Sequence, residues 1–166
     1  FGRYTGGSRQ RFRRAPRPRR GPQVRVVHKT TEQTHLCLGM PAIPRTHPQR
    51  FALELLHVVL GGNMSSRLFC EVREKRGLAY EIGSHIKRYD DTGAFIIYAG
   101  CDGPKLPTTV RTIIHELHRI KREAVKPHEL QRAKDFYRGQ LLMGLEDTAE
   151  HMLWIGEQVM TVGRVA

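Results

Sequence analysis

The sequence predicts an α+β fold, in which helices cover a mainly antiparallel sheet. Strand-like runs occur in two adjacent pairs, and helical patterns follow each pair, which gives the order ββααββααα. Strands joined directly to one another favour antiparallel pairing, whereas parallel strands need a crossover connection between them. The 166 residues, of which 39% are hydrophobic and 27% charged, suit one globular domain with a continuous core.

The first strand pair is predicted at residues 24–29 and 34–40, two β-rich runs that a polar stretch separates. The signals for a following helix are Pro48 at a first helical position and apolar Phe51, Leu55, Val58 and Val59 at helical spacing. The glycine pair Gly61–Gly62 is expected to end this helix with a left-handed cap. A second helix is predicted over residues 65–76, ending at Gly77 for the same reason.

The second strand pair is predicted at residues 78–89 and 92–101, joined by a tight acidic turn. The later run is apolar on both faces, as a central strand should be. Three helices are predicted after it, at residues 105–122, at residues 127–145 and from residue 147 onward. The first of these carries one apolar stripe, formed by Leu106, Val110, Ile113, Ile114, Leu117 and Ile120.

The positive charge of the chain is concentrated at its beginning. The formal net charge is +12, and residues 1–25 contain nine arginines and no acid, so subtracting them leaves +3 for the rest. Residues 1–22 are therefore predicted to be a linker rich in Arg, Pro and Gly, and residues 23–166 the folded domain. A dense arginine run can also neutralise phosphates, which leaves a nucleic-acid-binding module as a remote alternative. We favour the linker, because aromatic residues are scarce among these arginines.

The sequence carries no signal for secretion or for a membrane partner. No apolar run approaches the 18 residues of a membrane span, and the opening lacks both Met and a signal-peptide core, as in a chain that starts in mid-sequence. The three cysteines are widely spaced, which favours free thiols in a reducing compartment over a disulfide framework. We expect a cytoplasmic protein of bacterial type.

Nine histidines raise the question of a metal site, and their spacing argues against one. A zinc-peptidase helix places two histidines four residues apart with a catalytic Glu, as HExxH or HxxEH, and neither string occurs. His115 and His118 are three residues apart and have no third ligand near them in the sequence. Strings typical of a serine or cysteine nucleophile or of a nucleotide-binding loop are also absent from the sequence. We therefore predict no metal site in this chain.

One segment carries a family resemblance. Residues 60–80 read LGGNMSSRLFCEVREKRGLAY, which resembles a signature of the pitrilysin/insulinase zinc peptidases, in the bacterial branch that is similar to mitochondrial processing peptidase. Further matching strings are TEQTH at residues 31–35, YAG at 98–100 and ELQRAK at 129–134. The resemblance covers residues 23–163 and implies a metallohydrolase-like α+β half-domain, truncated at its C-terminal end.

In that family, two half-domains enclose a peptide chamber, and only one of them carries HxxEH and the zinc. This chain resembles the other half, so the resemblance implies that zinc and the general base come from a partner domain or subunit. Arg73 and Tyr80 have the R-x6-Y spacing of the family's non-zinc half. The resemblance implies that they bind the peptide substrate and stabilise charge on its carbonyl oxygen. No catalytic residue is expected within this chain, which should be inactive in isolation.

Other interpretations stay open at this point. Tyr80 alternates with Leu78 and Ile82, so its side chain is also compatible with a core-facing position in a strand, and Arg73 with a solvated helix face. The resemblance also admits a non-catalytic scaffold or assembly subunit, because relatives of this fold form core subunits of a respiratory complex.

Overall fold

The structure, a computed structural model, describes residues 13–16 and 21–163 of the chain. Its strands are β1 (Thr34–Ala42), β2 (Glu81–Arg88) and β3 (Gly93–Cys101). Its helices are α1 (Arg50–Leu60), a π-helix (Phe69–Glu74), a short 3-10 turn (Gly103–Lys105), α2 (Leu106–Arg122), α3 (Pro127–Glu146) and α4 (Thr148–Val162). This arrangement confirms the α+β fold class.

The sheet is antiparallel, with β3 between β1 and β2, so the run predicted to be a central strand is one. In register, Ile97 of β3 lies between Leu38 of β1 and Ser84 of β2. Side chains alternate between the two faces along each strand. The face that carries Ile97 packs against α1, the π-helix and α2, so these three helices share one side of the sheet.

The core is centred on five large side chains that are almost fully buried. They are Leu60, Leu68, Val72, Ile97 and Ile113. They join α1, the π-helix, β3 and α2 into one cluster, and burying each of them contributes about 1.5–3 kcal/mol relative to an exposed position. Because Val72 is buried and the next residue, Arg73, is exposed, the core fixes the helix from which Arg73 projects.

The predicted strand at residues 24–29 is wrong. These residues adopt no regular structure, and the side chains of Val24 and Val26 are 86% and 68% exposed. A β-branched residue favours a strand mainly because it fits a pleated, half-buried surface, and no such surface covers these valines in the part of the chain that the structure describes. The prediction for the second run of this pair, at 34–40, is confirmed by β1.

The first helix is confirmed, and its predicted end is wrong in detail. α1 begins at Arg50 and ends at Leu60, but Gly61 has φ −159°, which is extended backbone and no left-handed cap. A Cβ atom on Gly61 would lie 2.7 Å from Ser84 Oγ, so glycine is needed here for a different reason. It allows the end of α1 to approach β2, where the Ser84 N–H donates to the Gly61 carbonyl oxygen at 2.9 Å.

The second predicted helix, over residues 65–76, is present in part and is wider than an α-helix. The segment Phe69–Glu74 is a π-helix, in which the Lys75 N–H donates to the Cys70 carbonyl oxygen five residues earlier, at 2.9 Å. π-Helical turns are rare and occur often at functional sites. The helix ends before Gly77, whose φ of +55° confirms the left-handed stop predicted there.

The three later helices are confirmed, and the predicted stripe of α2 is partly wrong. Asp147 caps α4 by accepting the Glu150 N–H at 2.9 Å. On α2, Ile114 is exposed while Glu116 is buried. The Arg119 guanidinium lies 3.1 Å from the Glu116 carboxylate, and this ion pair allows an acid to occupy a buried position. None of the helices in the described residues combines the length and apolar composition that crossing a membrane requires.

Only a few residues of the predicted linker, 1–22, are described. Residues 13–16 and 21–22 are exposed, and the others lie outside the described residues. The backbone N–H of Ala15 donates to Asp91 Oδ2 at 2.6 Å, so this segment contacts the turn between β2 and β3.

Candidate functional site

The two residues singled out by the sequence, Arg73 and Tyr80, lie on either side of one turn. Arg73 belongs to the π-helix, Gly77 forms the left-handed turn, and Tyr80 immediately precedes β2. Backbone hydrogen bonds fix this path: the Gly77 N–H donates to the Arg73 carbonyl oxygen at 3.1 Å, and the Tyr80 N–H to the Gly100 carbonyl oxygen at 2.8 Å. The turn is therefore fixed at both ends, by the helix and by β3.

The side chain of Tyr80 points to the surface. It is 55% exposed, whereas Ile82, two residues later, is buried in the core. The core-facing position that strand alternation allowed for Tyr80 is thus wrong, because the residue lies just before the strand begins. Its hydroxyl donates to Asp102 Oδ1 at 2.9 Å.

Asp102 and Lys105 surround the Tyr80 hydroxyl. Asp102 directly follows β3, and its second carboxylate oxygen lies 3.1 Å from the Nζ atom of Lys105. The Lys105 ammonium also donates to the Gly77 carbonyl oxygen at 3.2 Å. The three side chains and the turn thus form one hydrogen-bonded cluster at the end of the sheet.

The charges of this cluster set its protonation. The hydrogen bond to Asp102, together with the negative charge of that carboxylate, raises the pKa of Tyr80 above its ordinary value. Hydrogen bonds from Lys105 and then from Tyr80 lower the pKa of Asp102. At neutral pH the phenol therefore keeps its proton and remains a hydrogen-bond donor, while the carboxylate is ionised and accepts.

The side chain of Arg73 is exposed and lies against Phe69 of the same helix. Its guanidinium carbon is 5.0 Å from the centre of the phenyl ring, within the range of a cation–π contact. No hydrogen bond or ion pair joins Arg73 to Tyr80 among the described residues. The structure therefore places both side chains at the surface on one turn and leaves the Arg73 donors open to solvent.

A buried ion pair lies beneath the loop that leads into the π-helix. The Nε and Nη2 atoms of Arg67 each donate to a carboxylate oxygen of Glu129 on α3, both at 2.7 Å. The two side chains are only 9% and 16% exposed. The hydrogen bond from Arg67 is the main cause that lowers the pKa of Glu129, and the same bond raises the pKa of Arg67.

The sequence did not identify Asp102, Lys105, Arg67 or Glu129 as site residues. Two signals were present: Asp102 stands at the end of an apolar strand, and Glu129 lies within the ELQRAK string. Neither signal indicates which residue the side chain contacts. Tyr80 and Asp102 are 22 positions apart in the sequence, and Arg67 and Glu129 are 62 positions apart.

The two histidines of α2 have no third ligand grouped with them in the part of the chain that the structure describes. His115 and His118 are both exposed, and the acid between them, Glu116, is buried and paired with Arg119. Within the ranges 13–16 and 21–163, no three His, Cys, Asp or Glu side chains are grouped so that they would hold a metal ion.

The α+β fold and the exposed donors of the helix–turn–strand segment can be compared with those of known proteins. The family model described as "Peptidase M16 inactive domain" matches residues 1–137. The chain therefore belongs to the M16 peptidase family and corresponds to its inactive half, which confirms the resemblance drawn from residues 60–80.

The curated relatives are zinc proteases of bacteria. The chain is 40% identical over 141 residues to an uncharacterized zinc protease of Streptomyces coelicolor, a match that covers 85% of this chain and 31% of the relative. It is 38% identical over 168 residues to an uncharacterized zinc protease of Mycobacterium tuberculosis, which covers 97% of this chain and 38% of the relative. The chain thus spans about a third of the length of these relatives.

Solved structures agree with this placement. A peptidase M16 inactive domain from Pseudomonas fluorescens matches with a TM-score of 0.63 and 30% identity, over 66% of this chain and 27% of that one. A protease from Helicobacter pylori matches with a TM-score of 0.76 and 24% identity, over 81% of this chain and 33% of that one, and supports the fold.

Proposed function

We propose that this chain is the substrate-binding half of a zinc metalloendopeptidase that cleaves peptides or unfolded segments. The observation that carries the proposal is the half-exposed side chain of Tyr80, whose hydroxyl is held 2.9 Å from Asp102 on the turn that it shares with Arg73. An exposed aromatic residue with a fixed hydroxyl is suited to contact a ligand, whereas a structural tyrosine usually buries its ring. The chain's place in the inactive branch of a zinc peptidase family supports the same role.

The chemistry of peptide hydrolysis needs donors of this kind. Negative charge develops on the carbonyl oxygen when water attacks, and a fixed hydroxyl or guanidinium stabilises that charge by donating a hydrogen bond. Zinc, bound by the partner half, supplies the activation of the attacking water. Arg73 and Tyr80 would bind the peptide and orient its carbonyl group, so the reaction requires both halves.

The proposal is tested by Tyr80→Phe in the complete peptidase, with its zinc-binding half present. If Tyr80 donates to the developing oxyanion, kcat should fall by ~10²–10³ while KM changes little. The matched control is Tyr89→Phe, which removes the hydroxyl of a tyrosine of similar exposure, 56%, from the turn between β2 and β3. Steady-state kinetics on one quenched peptide measure both variants.

Arg73 provides a second variant of the same experiment. Arg73→Lys keeps the charge but loses the planar set of donors, so we expect weaker peptide binding and a higher KM. Unchanged kinetics in both Tyr80→Phe and Arg73→Lys would sink the proposal. That result would favour the non-catalytic scaffold role, in which this turn contacts no substrate.

A further inference from the structure

We propose that Asp102 and Lys105 are positioning residues for Tyr80. The Asp102 carboxylate holds the Tyr80 hydroxyl in place before this hydroxyl turns its hydrogen bond towards the substrate. The Lys105 ammonium then stabilises the carboxylate that has lost this hydrogen bond. This inference rests on the proposed function of Tyr80 and assigns the residues that prepare it. Asp102 directly follows β3, and Lys105 directly precedes α2, so both residues lie beyond the R-x6-Y segment.

The first argument is the number of protons. A tyrosine hydroxyl has one hydrogen, so it donates one hydrogen bond at a time. In the structure that bond goes to Asp102 Oδ1 at 2.9 Å. A substrate oxygen must therefore compete with Asp102 for it, and rotation about the bond between the ring and the hydroxyl oxygen is enough to redirect the hydrogen while the ring stays in place.

The second argument is that the Asp102 carboxylate does not cap the helical turn that follows it. An aspartate before a helix ordinarily accepts a backbone N–H and caps the helix. Asp102 precedes the 3-10 turn Gly103–Lys105 but makes no side-chain capping bond there. One of its oxygens accepts from Tyr80, and the other lies 3.1 Å from Lys105 Nζ.

The third argument is the second contact of Lys105. Its ammonium donates to the Gly77 carbonyl oxygen at 3.2 Å while it pairs with Asp102. One side chain thus links the carboxylate to the turn that connects the π-helix with Tyr80. When the Tyr80 proton turns towards a substrate, Lys105 remains as the partner of the ionised carboxylate, so Asp102 does not need to take up a proton.

The experiment is a double-mutant cycle in the complete peptidase. Asp102→Ala should lower kcat about tenfold with KM nearly unchanged, because the hydroxyl loses its alignment and one hydrogen bond. In a Tyr80→Phe background the same substitution should have no further effect, since there is no hydroxyl to align. Asp135→Ala, which removes an exposed carboxylate from α3, is the control for lost charge.

The pH profile separates alignment from structural support. Asp102 holds the pKa of Tyr80 high, so in Asp102→Ala the decline of kcat on the alkaline side should begin at lower pH. Lys105 holds the pKa of Asp102 low, so in Lys105→Gln the decline on the acid side should begin at higher pH. Glutamine can still donate to the Gly77 carbonyl oxygen, which preserves that contact. A residue that only supported the fold would shift neither the acid nor the alkaline decline of kcat.

The outcomes separate this inference from the proposed function. If Tyr80→Phe leaves kcat unchanged, this inference fails, and the proposed function fails with it only when Arg73→Lys is also without effect. If Tyr80→Phe lowers kcat, but Asp102→Ala either has no effect or lowers kcat equally in both backgrounds, only the positioning role is overturned. Should Asp102→Ala not fold, Asp102→Asn replaces it, because the amide keeps an acceptor oxygen and loses the charge. Coupling to Tyr80 and the alkaline shift are then the expected results.

Discussion

At the scale of single residues, the ion pair of Arg67 and Glu129 connects the site to the packing beneath it. The pair joins the loop before the π-helix to α3 through two hydrogen bonds of 2.7 Å, largely shielded from water. A buried charge without its partner is strongly unfavourable, because the interior solvates it far less than water does. The position of the helix that carries Arg73 therefore depends on a residue of α3.

Removing one partner should show this dependence. Arg67→Met leaves the largely shielded Glu129 carboxylate without its partner, so the free energy of unfolding should fall by about 1–3 kcal/mol. The control is Lys75→Met, which breaks the exposed pair with Glu71 and should change the free energy of unfolding far less, because water screens that pair. Denaturant unfolding at neutral pH measures both, and equal effects of the two substitutions would contradict the argument.

The same pair gives stability a pH dependence. The pKa of Glu129 is lower in the folded protein than in the unfolded chain, so the unfolded chain binds its proton first as pH falls. The stability from the pair is fully present above the unfolded pKa, and it is lost as pH falls through the lowered folded pKa. In Arg67→Met the carboxyl no longer has this lowered pKa, so the acid-side loss of unfolding free energy should be smaller than in the wild-type protein.

Only part of the site could be predicted from the sequence at this scale. Arg73 and Tyr80 are seven positions apart in a recognisable string, so a pattern within one segment identifies them. Asp102 reaches Tyr80 only because β3 pairs with β2, and Arg67 reaches Glu129 only because α3 packs beside the loop. Contacts between distant segments produce no characteristic spacing in the sequence, so these two contacts could not be predicted from it.

At the scale of elements, Gly77 is the residue on which the helix–turn–strand segment turns. Its φ of +55° is unfavourable for a residue with a Cβ, although nothing within 4 Å would obstruct that atom. Gly77→Ala should therefore lower the free energy of unfolding by about 1–2 kcal/mol through backbone strain alone.

Gly139 is the matched control for this prediction. It lies inside α3, also with nothing within 4 Å of an added Cβ atom, and without a positive φ. Gly139→Ala should raise the free energy of unfolding by about 0.5–1 kcal/mol, because alanine favours a helix interior. The two substitutions add the same methyl group, and unfolding curves that shift in the same direction would contradict the strain argument.

Periodicity predicted most elements, and its failures have identifiable causes. The helices α1 to α4 and the strands β1 to β3 each correspond to a predicted run. The run at 24–29 has strand composition but finds no covering surface among the described residues. The π-helix escaped prediction because residues that favour an α-helix also fit a π-helix, and only the hydrogen bond from Lys75 to Cys70, five residues earlier, reveals the wider turn.

At the scale of the whole molecule, the proposed assignment of zinc to a partner half predicts how zinc removal acts. Chelation of zinc should abolish hydrolysis by the complete peptidase, because the attacking water is no longer activated. It should leave this half folded, since a structural zinc site stabilises the chain that binds it and the described residues offer no such group.

Amide hydrogen exchange tests this in the complete peptidase before and after chelation. Protection in β1, β2 and β3 should stay the same while activity disappears. Loss of protection in these strands on chelation would contradict the assignment of zinc to the partner half.

The π-helix has a consequence for how this segment can change in length. The hydrogen-bonded loop of a π-helix encloses one residue more than that of an α-helix, and the segment after it is fixed by the Gly77 turn and by the bond from Tyr80 to Gly100. Deleting one residue within Phe69–Glu74 would therefore let this segment close as an α-helix while the fixed end keeps its place. Related chains that keep this surface should tolerate a gap of one residue between residues 69 and 74 and none between residues 75 and 80.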